Sequence, residues 1–289
     1  MRILQLERPA GDERTGVFTS AVLSVVRQEA GPEGAPEGNG ERRMALYFSG
    51  REHAGENLAK VLKQRAAENS QAMLMSDALS RNAPKLSAGV ELLLANCLAH
   101  GRRQFVEVAG SFPAECRYVL ETLGGVYAND AVTKEEKMTP VARLEFHRQH
   151  SQTPMDELEN WVREQFSQRK VFRPGLREPN SGLGKAITYM QRHWKALTLF
   201  LRQPGAPLDN NICERALKLA VLHRKNALFY RTLNGAQVGD LFMSLIHTCQ
   251  LNGVNSFEYL VELLRHASEV AASPREWMPW RYRDHLGSG

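Results

Sequence analysis

The sequence predicts an α/β protein in which a mixed β-sheet is followed by a long, mainly helical region. In the first third of the chain, short apolar segments alternate with segments rich in Gly, Pro and Asp, a pattern typical of strands and turns. From about residue 110 onward, apolar residues recur at helical spacing instead. At about 150 residues per domain, 289 residues correspond to one large or two small domains.

The first third contains five predicted strands and one predicted helix. The strands cover residues 2–8, 15–26, 44–48, 73–77 and 92–97, the helix covers 53–69, and His100 begins the next helix. A turn at 11–13 and a Gly/Pro/Glu-rich loop at 28–42 separate the first three strands. We expect these three strands to form an antiparallel meander. The last two need helical crossovers, so the sheet is predicted to be mixed.

The remainder is predicted to be helical, with a connecting loop at 170–182 and an irregular aromatic tail at 277–283. The helices cover 113–128, 139–169, 183–202, 211–222, 236–251 and 256–272. A sheet, then a helical stretch, then further helices is the order of a ribonuclease-H-like fold with a helical insertion. We therefore expect a sheet portion at 1–110, an insertion at 111–203, helices completing the core at 204–272 and a tail at 273–289.

The composition is that of an ordinary globular protein with a mildly basic charge. Hydrophobic residues make up 43% and charged residues 24%, and the net charge of +5 with a pI near 9.1 weakly favours a polyanionic partner. The four cysteines form no C-x-x-C pair, which predicts neither a disulfide framework nor a four-cysteine zinc site and fits a reducing, cytoplasmic setting. No signal peptide or membrane span is indicated, so we expect no membrane partner.

One well-placed carboxylate, Glu214, lies at the start of a predicted helix within the segment Pro207–Lys218. No acidic residue follows it until Asp240, whereas the intervening cations are Arg215, Lys218, Arg224, Lys225 and Arg231. A carboxylate that holds a divalent cation, beside cations that hold a phosphate backbone, suits a metal-dependent enzyme acting on phosphodiesters. The alternative is structural: Asn211 caps the helix with Glu214 as its capping-box partner, and Glu214 pairs with Lys218.

Asp77 is the second candidate carboxylate, because it ends the predicted strand 73–77, where ligands bind in open α/β sheets. The alternative is an Asp that only caps a turn. Two carboxylates far apart in sequence are a known way to build a two-Mg²⁺ site for phosphodiester chemistry. Such a site usually needs a third carboxylate.

Other polar residues allow weaker interpretations. Arg102 and Arg103 near a helix N-terminus suit phosphate contacts or a solvated helix face. Cys97 and His100 have zinc-ligand spacing, but without a second Cys/His pair nearby a buried structural cysteine is favoured. The basic cluster 223–226 suits either DNA or the helix dipole. Single histidines at 53, 193 and 247 are interpreted as structural.

Ordered motifs along nearly the whole chain resemble the transposase of the insertion-sequence 66 family. They are Tyr47–Arg51, His53–Leu58, Ser76–Leu79, Asn96–Phe105, Asn180–Gly184, Pro207–Asn211, Glu214–Leu217, Arg224–Phe229, Ser244–Cys249 and Trp277–Trp280. The resemblance implies a DDE-type transposase with a ribonuclease-H-like core, in which Asp77 is the second catalytic Asp and Glu214 the catalytic Glu. Both would be metal ligands, and the implied cofactor is Mg²⁺ or Mn²⁺.

The implied partner is DNA, namely the inverted-repeat ends of the element and the target. The reaction would be hydrolysis at those ends and strand transfer of the freed 3′-hydroxyl. The candidates for DNA contacts are Arg102, Arg103, Arg215, Lys218, Arg224 and Lys225. Joining two element ends predicts a homo-oligomer on DNA, and a bacterial transposase is expected to associate with the nucleoid in the cytoplasm.

The chain departs from the family pattern at its start. The family places its first catalytic Asp in a short acidic-Thr motif just before the strand that here begins at Met1. Asp12, the nearest early Asp, lies in the turn after that strand and is not assigned this role. We therefore expect the catalytic and C-terminal portion of a longer transposase, without the first catalytic Asp and with impaired activity.

Two other hypotheses remain at this stage. The first is a non-catalytic DNA-binding remnant that regulates an intact transposase, which predicts salt-sensitive DNA binding without turnover. The second is a helical regulatory protein unrelated to DNA. It would tolerate the simultaneous replacement of Arg102, Arg103, Arg224 and Lys225 without loss of binding.

Overall fold

The chain forms two compact units of mixed α/β structure. A computed structural model describes residues 2–5, 17–27, 41–65, 71–86, 91–168, 181–227 and 229–286. The first unit contains residues 1–64 and 211–289, and the second unit contains residues 65–210. In the described part of the chain, no helix is long and apolar enough to cross a membrane.

Two pairs of strands belong to the first unit. Strands β2 (Phe18–Arg27) and β3 (Glu41–Gly50) form an antiparallel hairpin with a continuous register from Phe18↔Gly50 to Arg27↔Glu41. Strand β1 (Arg2–Gln5) pairs in parallel with a short strand near the other end of the unit, β6 (Phe229–Thr232). The helices of this unit are α1 (Ala54–Lys63), α7 (Asn211–Ala227), α8 (Leu233–Leu251), α9 (Ser256–Arg265), α10 (Ala267–Ala272) and α11 (Tyr282–Leu286).

Helix α7 packs on the β2–β3 hairpin through one apolar stripe. Its buried or half-buried residues recur at i, i+3, i+4 and i+7, which places them on one face of a helix. They contact alanine and tyrosine side chains of the hairpin, and the small residues let the helix backbone approach the strands closely. The cluster contains Ala21, Leu23, Ala45, Tyr47, Cys213, Ala216, Leu217 and Ala220.

Helix α8 lies along β3 and bonds to its backbone through polar side chains four residues apart. Four helical residues rise about 6 Å and two strand residues about 6.7 Å, so the two repeats nearly match. Each side chain accepts from one backbone N–H of β3. Together the four side chains bond to every second N–H, as the carbonyl groups of a neighbouring strand would. The pairs are Ser49 N–H to Asp240 at 2.5 Å, Tyr47 N–H to Ser244 at 3.0 Å, Ala45 N–H to Thr248 at 3.1 Å and Arg43 N–H to Asn252 at 3.2 Å.

The C-terminal segment closes a small aromatic core on α8 and α9. Trp277 is buried between the rings of His266 and His285, with centroids 4.9 and 5.5 Å away. The hydroxyl of Tyr259 donates to the carbonyl of Trp277 at 2.7 Å. The tail predicted to be irregular therefore contains ordered turns and α11.

The second unit combines one parallel strand pair with a helical core. Strand β4 (Ala72–Ser76) pairs with β5 (Leu92–Asn96). The helices are α2 (Leu98–Val108), α3 (Pro113–Glu135), α4 (Pro140–His150), α5 (Gln152–Gln168) and α6 (Gly182–Leu197). Phe105, Leu123, Leu158 and Met190 are fully buried in the core between these helices.

Several predicted boundaries were wrong for identifiable reasons. The single helix predicted at 139–169 is two helices, since the ring of Pro154 would clash with the carbonyl of His150, and α5 instead begins anew with this proline in its first turn. Helix α3 continues past residue 128 to Glu135. Helix α6 ends at Leu197 before a 3₁₀ turn, and 256–272 is divided at His266.

The predicted three-stranded meander and single mixed sheet were also wrong for the described residues. These form three separate two-stranded sheets, and β1 pairs with β6 rather than with β2. With only four residues between two helices, β6 is too short to show strand periodicity in the sequence. The predicted turn at 11–13 and most of the loop at 28–42 lie outside the described residues.

Candidate active site

Asp77 lies at the carboxyl end of the parallel pair in the second unit. It directly follows β4, whose last residue, Ser76, is in register with Asn96 at the end of β5. The N–H of Cys97 donates to the carbonyl of Ser76 at 2.8 Å and ties the two strand ends together. The structure therefore places Asp77 at the sheet edge where the sequence predicts a ligand site.

The two carboxylate oxygens of Asp77 have different surroundings. Its Oδ1 accepts from the Asn82 side-chain amide at 2.6 Å and from the Leu79 N–H at 3.2 Å, which forms a tight turn. Ala78 within this turn has a left-handed backbone with φ of 64°. Among the described residues, no hydrogen bond reaches Oδ2. The turn role and a metal-ligand role are thus compatible, because they use different oxygens.

The backbone of Asp77 is also contacted from the helical region. The hydroxyl of Tyr189 on α6 lies 3.4 Å from the carbonyl oxygen of Asp77 and donates to it. Burial, together with the nearby Cys97 and Asp77, raises the pKa of Tyr189 to about 12. The phenol therefore stays protonated and remains a donor at ordinary pH.

The start of α2 lies at the same edge of the second unit. The Cys97 sulfur accepts from the Asn210 N–H at 3.3 Å and lies within 4.8 Å of a His100 ring nitrogen. Burial raises the pKa of the Cys97 thiol, although backbone N–H groups partly offset this. Zinc binds thiolates, so a protonated, buried thiol favours the structural interpretation of Cys97. Arg102 and Arg103 are exposed on α2.

The loop that precedes α7 is fixed by three hydrogen bonds within the second unit. The guanidinium of Arg143 donates to the Ala206 carbonyl at 2.7 Å, and the Leu98 N–H donates to the Leu208 carbonyl at 2.9 Å. The third is the bond from Asn210 to Cys97. Residues 207–210 of the motif Pro207–Asn211 are thereby held in place within the second unit.

Glu214 lies in the first turn of α7 in the first unit, next to the buried stripe and partly exposed. The helix is anchored on both sides of Glu214. The Tyr47 hydroxyl donates to the Ala216 carbonyl at 2.8 Å, and the Cys213 thiol donates to the Ala21 carbonyl at 3.5 Å. These bonds fix the position of the helix backbone rather than the carboxylate itself.

The pairing of Glu214 with Lys218, one part of the structural alternative, is not observed. The exposed side chain of Lys218 makes no ion pair with any described residue. Helix α7 begins at Asn211, so Asn211 and Glu214 both lie in its first turn.

The basic candidates of α7 are mostly exposed. Arg215, Lys218 and Lys225 are exposed on the helix that contains Glu214. The side chain of Arg224 lies outside the part of the chain whose side chains are described. His223 of the same cluster has a structural contact, because its Nε2 lies 2.9 Å from the Tyr230 hydroxyl of β6.

Sequence reasoning missed the residues that orient Asp77 and hold the helix that contains Glu214. Asn82 contacts Asp77 from five residues away, Tyr189 from 112 residues away, and Tyr47 holds α7 from 169 residues away. Tyr47 and His247 lay within the motifs that resemble the transposase family, which was the available signal. His247 is buried, with Nδ1 3.0 Å from the Tyr47 hydroxyl.

Comparison with known proteins assigns the chain to a family. The family model described as "Transposase IS66 family" matches residues 25–238. The chain belongs to the IS66 transposase family.

Similar proteins occur in Sinorhizobium fredii (strain NBRC 101917 / NGR234). The uncharacterized protein y4jD is 30% identical over 203 residues, which cover 68% of this chain and 37% of y4jD. The uncharacterized protein y4hP is 25% identical over 263 residues, which cover 86% of this chain and 45% of y4hP. The chain thus spans less than half the length of these relatives. No solved structure matches it.

Proposed function

We propose that this chain is the catalytic region of a DNA transposase, which cleaves the ends of its element and joins the freed 3′-hydroxyl to target DNA. Family membership supports a role in transposition. The observation that supports catalysis is the geometry of Asp77, a carboxylate at a strand end whose Oδ1 is fixed by Asn82. Such a bond orients a carboxylate for a metal ion while leaving the other oxygen available.

Asp77 and Glu214 are the proposed ligands of Mg²⁺ or Mn²⁺. Oxygen ligands are those that these ions prefer, and both side chains are partly exposed, so that an ion and a phosphate can reach them. When bound, the ion would supply Lewis-acid stabilisation of the phosphate and lower the pKa of the attacking hydroxyl or water. Asn82 keeps Asp77 in one orientation, and Tyr47 keeps α7 in place.

Exposed cations would hold the DNA. Arg102 and Arg103 on α2 and Arg215, Lys218 and Lys225 on α7 have the exposure that phosphate contacts require, and Arg224 completes the proposed set. Ribonuclease-H-like folding is part of the proposal. Residues 1–110 and 204–272 would form the core, and 111–203 would be its helical insertion. Joining two ends would require assembly into at least a dimer on DNA.

The test is Mn²⁺-dependent cleavage of a labelled DNA fragment that contains the ends flanking the chain's own gene. We expect Asp77→Asn and Glu214→Gln each to lower the cleavage rate by more than the roughly 100-fold that loss of an outer-shell partner can cause. Glu157→Gln, which removes an exposed carboxylate on α5, is the matched control and should retain wild-type cleavage. Cleavage that survives Glu214→Gln would remove Glu214 from the site.

A second candidate function is a DNA-binding regulator without catalytic activity. The observation that favours it is the engagement of Asp77 in its own turn, which a purely structural Asp would also show. The same assay separates the two functions. Salt-sensitive DNA binding with no cleavage in Mn²⁺ would favour the regulator.

A further inference from the structure

Helix α6 has a strongly one-sided charge. From Gly182 to Leu208 the chain contains no Asp or Glu, and its basic residues there are Lys185, Arg192, His193, Lys195 and Arg202. The neighbouring helix α5 has a mixture instead, with four acidic residues and Arg163. A helix with charge of one sign is a candidate for binding a partner of opposite charge.

Three of the cations lie on the solvent face of α6, away from the core. Lys185 and Arg192 are seven residues apart, which puts them within about 20° of each other around the helix, and Lys195 follows one turn later. All three are exposed, whereas Ile187 and Met190 on the opposite face are buried. We call Lys185, Arg192 and Lys195 the α6 stripe.

The α6 stripe is not neutralised within the described part of the chain. None of its three side chains forms an ion pair with a described residue. Lys195 lines a cavity with Asp156 and Glu159 of α5. Glu159 accepts from Arg163 at 2.6 Å, whereas Asp156 accepts from the neutral amide of Gln152 at 2.8 Å and keeps its charge near Lys195. Lys185 and Arg192 therefore present unpaired positive charge to solvent, and the charge of Lys195 is partly offset.

The α6 stripe passes next to Asp77. Tyr189, whose hydroxyl donates to the Asp77 carbonyl at 3.4 Å, lies on α6 between Lys185 and Arg192. A phosphate held near Asp77 would thus have one cation of the stripe on either side of Tyr189. From Lys185 to Lys195 the stripe is about 15 Å long, which is the axial length of roughly four base steps.

We infer that the α6 stripe is a DNA-backbone contact surface beside Asp77, through which the helical region holds the strand near the phosphate to be cleaved. The inference rests on the proposed function for the nature of the polyanion. It adds Lys185, Arg192 and Lys195 to the cations proposed on α2 and α7. It also gives the helical region a role in substrate binding.

The test is the salt dependence of DNA binding by the full 289-residue chain. Fluorescence anisotropy of a short fluorescein-labelled duplex would be followed over a KCl series in EDTA, so that no cleavage occurs. The slope of log K against log salt is negative, and its magnitude grows with the number of phosphate contacts. If all three side chains contact phosphates, the combined variant Lys185→Gln, Arg192→Gln and Lys195→Gln should reduce that magnitude by about 2.7. Circular dichroism melting would confirm that the variant folds.

The matched control removes three exposed cations of the second unit that lie outside α6: Lys85→Gln, Arg117→Gln and Lys137→Gln. The change in net charge is the same, but these side chains lie outside the proposed contact surface. The magnitude of the slope should therefore fall by less than about 0.9, the value for one contact. A stripe variant that behaves like this control, or like the wild type, overturns the inference.

Failure of the inference and failure of the proposed function give different results. Asp77→Asn should retain the wild-type slope, because it removes no cation. If the stripe variant keeps its slope while cleavage still depends on Asp77, the inference fails alone. If the wild-type chain neither binds nor cleaves DNA, both fail.

Discussion

Each unit contains a buried aspartate, and the two are held in opposite ways. Asp130 of the second unit is 1% exposed and accepts from the Arg143 guanidinium at 2.7 and 2.9 Å and from the Lys134 ammonium at 2.6 Å. Asp240 of the first unit is 6% exposed. Among the described residues its carboxylate accepts only from neutral donors, the N–H and hydroxyl of Ser49 at 2.5 and 2.9 Å.

The pKa values of the two carboxyls accordingly move in opposite directions. Burial raises the pKa of Asp130, but the hydrogen bonds from His147, Lys134 and Arg143 and the charge of Arg143 outweigh it and leave the pKa well below its usual range. Burial also raises the pKa of Asp240, and the bonds from Ser49 offset only part of this. The second unit therefore depends on paired charge, whereas the α8–β3 contact of the first unit depends on neutral hydrogen bonds.

The largest effect is expected from Asp130→Asn. This change leaves Arg143 and Lys134 without their anion, and breaking a buried pair by removing one partner costs about 3–5 kcal/mol. We expect the lower end, because Lys134 is largely exposed. The free energy of unfolding measured by urea denaturation at pH 7 checks this. Asp156→Asn, an exposed α5 carboxylate that bonds only to Gln152 among the described residues, should change it by less than about 0.5 kcal/mol.

The pH dependence of the same variant sharpens the comparison. Because the folded-state pKa of Asp130 is depressed, its stabilisation is present above the unfolded-state pKa of about 3.9 and is lost as pH falls through the folded-state value. The difference between wild type and Asp130→Asn should therefore shrink as pH is lowered below about 4. A difference that stays constant down to the acid transition would contradict the assigned pKa direction.

The contacts of Asp130 also show where the sequence predicts the fold well and where it does not. Strands β2 to β5 and most helices follow from periodicity, because their residues face a core directly. Helix α3 continues past its predicted end at 128, through Asn129 and Asp130, whose residue types usually compete with a helix for backbone hydrogen bonds. In the structure these side chains bond to Ser151 and Arg143 of other elements, so the helix continues.

In the candidate site, too, local sequence patterns predict positions in strands and helices but not the contacts with other elements. The strand-end position of Asp77 and the helix-start position of Glu214 follow from local sequence. Asn82 is only five residues from Asp77, but a turn formed around an aspartate cannot be distinguished from other loop conformations by periodicity. Tyr189 and Tyr47 act across more than a hundred residues, and pairing at that distance leaves no trace in local patterns.

The next largest effect is expected at Asp77 and should concern metal binding rather than stability. Asn82→Ala removes the 2.6 Å bond that orients Oδ1. Loss of such an outer-shell partner typically costs 10–100-fold in metal affinity or activity, so we expect the Mn²⁺ concentration for half-maximal cleavage to rise by about that factor. Ser80→Ala, at an exposed neighbour in the same turn, is the control. An unchanged Mn²⁺ dependence in Asn82→Ala would show that the turn does not position Asp77.

Tyr47→Phe should have a smaller effect, and one on stability. It removes the hydroxyl that bonds to the Ala216 carbonyl and to His247, worth about 1 kcal/mol. Tyr127→Phe provides the contrast, because the Tyr127 hydroxyl is buried without a hydrogen-bond partner among the described residues, and its removal should be neutral or stabilising. Melting temperatures and amide exchange of α7 would measure both. Equal destabilisation by the two changes would show that the Tyr47 bonds do not anchor the helix.

The smallest effect is expected from Asp240→Asn, although Asp240 is about as buried as Asp130. The Asn side chain retains an oxygen that can accept from the Ser49 N–H, and the change removes a charge that no described cation compensates. At pH 7 the free energy of unfolding should therefore change by less than about 1 kcal/mol.

The pH dependence of Asp240→Asn should have the opposite sign to that of Asp130→Asn. The raised folded-state pKa of Asp240 means that its favourable contribution is present below the unfolded-state pKa and is lost as pH rises through the folded-state value. As pH falls, the free energy of unfolding of the wild type should thus rise relative to that of Asp240→Asn. Relative to that of Asp130→Asn, it should fall. Urea unfolding of both variants from pH 7 to below about 4 measures the two trends side by side. Parallel trends would mean that a cation missing from the described contacts compensates Asp240, and the contrast between the two units would then disappear.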